Sequence, residues 1–122
     1  MTTIGSKYRG TREYHIVYCK LISAAQQNVG VSYKDVADIL GIHEPGHHMA
    51  REVGQILGEI SEDEHEAGCP MLSALASGVV GVPGEGFFTL ARRLGKLTSE
   101  VADEEIKFWG EEKKKVYKAW QS

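Results

Sequence analysis

Between Ser32 and Gly54 the chain carries the pattern that most restricts its fold. Ser32-Tyr33-Lys34-Asp35-Val36-Ala37-Asp38-Ile39-Leu40-Gly41 is followed, after a short connection, by Ala50-Arg51-Glu52-Val53-Gly54. Ser32 is a good helix N-cap, and Asp35 three positions on can reach back to it. Val36, Ala37, Ile39 and Leu40 make a buried stripe, and Gly41 suits the left-handed residue that ends a helix. Pro45 is predicted to open the next helix, since its missing donor would be unpaired there anyway. Met49, Val53, Ile56, Leu57 and Ile60 give that helix its apolar face. Two short helices joined by a turn are the layout of a helix-turn-helix, whose second helix enters a DNA groove.

The flanking segments complete an expected architecture. Residues 1–12 are polar and basic and read as a flexible arm. Tyr14, Val17, Tyr18, Leu21, Ile22 and Ala25 recur at helical spacing, so a helix is predicted from Tyr14 to about Asn28. Five acids fall between Glu59 and Glu66, predicting a solvated helix end or loop. The apolar run Met71 to Ala76, the turn signal Ser77-Gly78 and the strand-like Val79-Val80-Gly81-Val82 together predict a small β-hairpin, and Pro83 to Gly86 a loop. Phe87, Phe88, Leu90, Ala91 and Leu94 predict a helix closed by Gly95. Thr98-Ser99 is the expected cap of a last amphipathic helix striped by Ala102, Ile106, Trp109, Val116 and Trp120. The expected fold class is mainly α with a small β-hairpin. It would be a winged-helix-like helix-turn-helix domain over 13–97, after the basic arm and before a C-terminal helix over 98–122.

Charge is informative through its distribution. The net charge is -3, which opposes strong phosphate binding by the chain as a whole. Residues 1–58 carry six basic and five acidic side chains, whereas 59–122 carry eight and twelve. Lys7, Arg9 and Arg12 precede any acid. A DNA-facing surface is therefore expected in the N-terminal half. No apolar run approaches the roughly 20 residues of a membrane span, and no apolar leader opens the sequence. Cys19 and Cys69 are the only cysteines. Cys19 sits in an apolar helical pattern and reads as a buried thiol, and a reducing cytoplasm is the expected setting.

From Tyr14 to about Leu97 the order of elements resembles the DNA-binding C-terminal domain of the alkylguanine-DNA alkyltransferases and alkyltransferase-like proteins. The matching residues are Val31-Ser32-Tyr33 with Val36-Ala37 and Leu40-Gly41, then Ala50-Arg51-Glu52-Val53-Gly54 with Leu57. The resemblance implies that Tyr33 contacts the DNA backbone beside a flipped nucleotide. It implies that Arg51 fills the vacated stack, where a planar cation partly replaces lost stacking. Gly54 would let the helix approach closely. The family's Pro-Cys-His-Arg stretch is absent. The corresponding region reads Gly68-Cys69-Pro70-Met71-Leu72-Ser73, with no histidine or arginine after the cysteine. A thiol needs a nearby base or cation to become a nucleophile, so alkyl transfer is not predicted, and neither is a cofactor. Val82-Pro83-Gly84-Glu85-Gly86 loosely resembles the family's glycine-rich loop.

The leading expectation is a non-catalytic binder of double-stranded DNA, recognising damaged or flipped bases. Tyr33, Arg51 and Gly54 would meet the stack and backbone, and His47, His48, Lys7, Arg9 and Arg12 the phosphates. The alternative is a protein-interaction module, a homodimer or hetero-complex through Trp109, Val116 and Trp120. A third reading is a metal-dependent enzyme using His43, His47, His65 or Cys69. Pro45 between His43 and His47 breaks their i, i+4 geometry, and no metal site is predicted. Glu62, Asp63, Glu64 and Glu66 read as a solvated acidic face, because consecutive helical residues diverge. Lys113-Lys114-Lys115 read as solvated lysines beside an aromatic stripe that docks on the core or a second subunit.

Overall fold

A computed structural model describes residues 5–78 and 81–121. The chain is mainly helical with a small two-stranded parallel sheet. In order it forms α1 (Arg12–Gln26), β1 (Val31–Ser32), α2 (Tyr33–Ile39), α3 (His47–Glu66), a 3-10 turn (Leu72–Leu75), β2 (Ala76–Ser77), α4 (Glu85–Arg93) and α5 (Ala102–Ala119). None of these helices is long and apolar enough to cross a membrane.

Local chemistry explains most boundaries. Thr11 caps α1 by accepting from the Tyr14 N–H at 3.2 Å. Ser32 caps α2 by accepting from the Asp35 N–H at 3.0 Å. Gly41 stands at φ 76°, and beyond it the Ile42 N–H reaches back to the Ala37 carbonyl at 2.9 Å. This left-handed closure ends α2 abruptly. Pro45 does not open α3. Gly46 adopts φ 139°, a conformation that breaks the helical path, so α3 begins at His47. Ser99 accepts from the Val101 N–H at 3.0 Å, so the expected cap lies just ahead of α5 rather than on it.

Of the first arm of the expected hairpin, Leu72–Leu75 forms a 3-10 turn instead of a strand, and the sheet among the described residues is a parallel pairing. Val31 lies opposite Ala76 and Ser32 opposite Ser77, in parallel. Parallel strands need a long crossover, and α2 with α3 supplies it. Val79 and Val80 fall outside the described residues. Around them the Gly81 N–H reaches the Gly78 carbonyl at 3.0 Å, and the Gly78 N–H the Val82 carbonyl at 3.0 Å.

The core is filled from every helix. Val17 and Leu21 of α1, Val36 of α2, Val53, Ile56 and Ile60 of α3, Met71 and Leu72 near the 3-10 turn, and Val116 of α5 are fully buried. Each such side chain contributes about 2 kcal/mol of burial. The aromatic stripe of α5 docks on this same core: the Trp109 indole N–H donates to the Ala74 carbonyl at 2.8 Å. Lys113 lies over the Trp109 ring at 4.1 Å rather than standing apart in water. Glu112, 1% exposed, accepts from the Met71 N–H at 3.0 Å and pairs with Lys96 at 3.0 Å, fixing α5 to the chain entering the 3-10 turn.

Candidate nucleic-acid interface

Three stripes divide α3. Val53, Ile56, Leu57 and Ile60 face the core. A second stripe, Glu52, Gln55, Glu59, Glu62 and Asp63, receives the N-terminal segment. The Glu59 carboxylate accepts from the backbone N–H groups of Lys7 at 3.1 Å, Tyr8 at 3.1 Å and Arg9 at 2.9 Å. Gln55 donates to the Gly5 carbonyl and to Glu59, both at 2.8 Å. Arg9 pairs with Glu62 at 2.8 Å and with Asp63 at 3.1 Å. Lys7 and the Tyr8 hydroxyl both engage Glu52.

This arrangement corrects two expectations. Gly5, Lys7, Tyr8 and Arg9 of the expected flexible arm are tied to α3 by backbone and side-chain bonds, and Arg12 already belongs to α1. Most acids of α3 are not a solvated face either: Glu52, Glu59, Glu62 and Glu64 are buried and Asp63 is half-buried, and only Glu66 at the helix end is exposed as expected. They are tolerated because cations and donors reach them. Tyr14 donates to Asp63 and Tyr18 to Glu64. Burial and the neighbouring carboxylates raise both phenols, and the same causes push Tyr8 up to about 12. Lys7 and Tyr8 together hold the Glu52 carboxyl down at about 2, against the opposing effect of its burial. The sequence signal was present in the spacing of 52, 55, 59 and 62, a helical stripe of its own.

The third stripe is open. His47, His48, Arg51 and Gly54 are exposed. The Arg51 side chain is 69% exposed, with Nε 3.5 Å from Glu52 and Nη2 3.3 Å from His48 Nδ1. Among the described residues, nothing beyond its chain neighbours and its own helix backbone would lie within 4 Å of a Cβ added at Gly54, so the helix faces open space there. Among the described residues no side chain caps the α3 N-terminus, which leaves a positive dipole end beside these residues.

Tyr33 stands at the edge of this face. Its hydroxyl accepts from the Gly84 N–H at 2.7 Å, tying the start of α2 to the loop before α4. Burial raises its pKa. The ring separates two clefts. One of about 210 Å³ lies toward Leu57, Ser73 and Phe87. The other, about 400 Å³, lies toward His43, Pro45 and Met49. The structure thus gathers Tyr33, His47, His48, Arg51 and Gly54 around one face. Lys7 borders it through Glu52, Arg9 is engaged by α3 acids, and Arg12 is exposed at the start of α1.

Cys69 lines neither Tyr33 cleft. It opens into a separate one with His65, Lys96 and Lys115. Burial, then Glu64, pushes its thiol pKa up, which opposes thiolate formation. Cys19 is exposed, contrary to the buried thiol expected, because it falls on the outer side of α1. His43 lies 3.7 Å from Asp38. Among the described residues no three His, Cys, Asp or Glu side chains come together as a metal-ligating group. No family model, curated protein or solved structure matches this chain.

Proposed function

We propose that this protein binds double-stranded DNA without catalysing a reaction, using α2 and α3 as a winged-helix-like helix-turn-helix pair. The observation that carries the reading is Arg51, an exposed guanidinium on the open stripe of α3 beside an exposed glycine. Arg51 would enter the base stack or groove, where stacking and bidentate donors favour arginine. Tyr33 keeps its hydroxyl proton for a phosphate oxygen while accepting from Gly84. His47, His48, Lys7 and Arg12 supply phosphate contacts around it. Arg9 serves the fold, through its contacts with α3. Both cysteines are free, in keeping with the reducing cytoplasmic setting we propose.

The test is fluorescence anisotropy with a short duplex, matched, mismatched or alkylated, across a salt series. Binding should weaken as salt rises, and Arg51→Ala should weaken it about tenfold. Absence of binding to all three duplexes at low salt refutes the proposal.

A further inference from the structure

The two clefts beside Tyr33 differ in charge. The smaller has Glu85 as the only charged residue among its described lining residues. The larger is walled by Pro45, Met49, Ala50 and Val53, and its basic lining residues are Lys34 and His43. No carboxylate lines it among the described residues. Asp38, one helical turn after Lys34, is not among the lining residues but lies 3.7 Å from His43. An apolar recess with a few polar groups on one side is the common form of a small-molecule site, and about 400 Å³ lies in the usual range. The Tyr33 ring and the Met49 thioether both favour an aromatic body. A lysine ammonium acts as a point charge suited to phosphate, where a planar carboxylate favours arginine.

We propose that this cleft binds an aromatic phosphate of mononucleotide size as a free ligand, with the ring against Tyr33 and Met49 and the phosphate at Lys34 and His43. The site stands on cleft chemistry and does not require the DNA reading. Because it shares the face that carries Arg51, ligand and duplex would compete for it.

The experiment is an amide-shift titration of the whole protein with adenosine 5′-monophosphate, run against adenosine and inorganic phosphate at matched ionic strength. Saturable shifts are expected at Ser32, Lys34, His43 and Met49, with adenosine weaker by about tenfold. Lys34→Glu should erase the advantage of the phosphate, and Met49→Trp should fill the recess and remove binding. Should Met49→Trp fail to fold, Lys34→Glu alone carries the test. The proposal is overturned if the mononucleotide gives no saturable shift, if adenosine binds equally well, or if the shifts centre on Glu85 and Phe87. It also falls if a 5′-phosphorylated single strand shifts these residues while the mononucleotide does not. Mononucleotide binding without duplex binding would keep this site and remove the function proposed above.

Discussion

The two polar stripes of α3 differ in charge and in burial, and they serve opposite ends. On one, Glu52, Gln55, Glu59 and Glu62 meet the N-terminal segment and are buried or half-buried. On the other, His47, His48, Arg51 and Gly54 are exposed. A charge enclosed by partners specifies the fold, and removing its partner exposes the full desolvation cost. A charge left in water contributes little to stability and remains available to a ligand. Substitution on the first stripe should therefore act on folding, and on the second on binding.

The largest effect is expected for Glu59→Ala, which removes the acceptor of three backbone N–H groups. A loss of about 3 kcal/mol in urea unfolding is expected. Tyr18→Phe should cost about 2 kcal/mol, because Glu64 has one oxygen buried without a hydrogen-bond partner among the described residues and would lose the donor on the other. Acid should act next. The Glu52 carboxyl titrates near 4.5 ordinarily and at about 2 when folded. Its contribution is complete above the first value and fades as pH falls toward the second. Glu52→Gln should flatten the thermal-melting curve against pH in that window. The smallest effect sharpens the contrast most. Gly54→Ala meets no steric obstacle and should raise stability by up to about 1 kcal/mol through helix propensity, while weakening duplex binding. A gain in stability with unchanged binding would separate Gly54 from the interface.

The readable parts of the fold were those fixed by neighbours in sequence. The stripe from Tyr14 to Ala25, the Ser32 cap and the Gly41 closure all depend on residues within one or two turns. The parallel pairing of Val31 with Ala76 was hidden, because two-residue strands carry no alternation to read. The last turns of α3 were hidden for another reason. Acids that look solvated in isolation are buried once Tyr8, Arg9, Tyr14 and Tyr18 reach them. The same long-range bonds drew Lys7 and Arg9 from an expected arm onto α3. In the candidate site, residue types were legible around Tyr33 and Arg51, but the two clefts were not, since they depend on the Tyr33 hydroxyl reaching Gly84.

The short ladder between β1 and β2 has a consequence for how this unit comes to exist. It closes a ring of chain that contains both α2 and α3. Closing such a ring carries a loop-closure entropy cost that the contacts across it must offset. A fragment that stops before Ala76 loses the partner of Val31, so the bihelical element is tied by its first strand to the sequence that follows it.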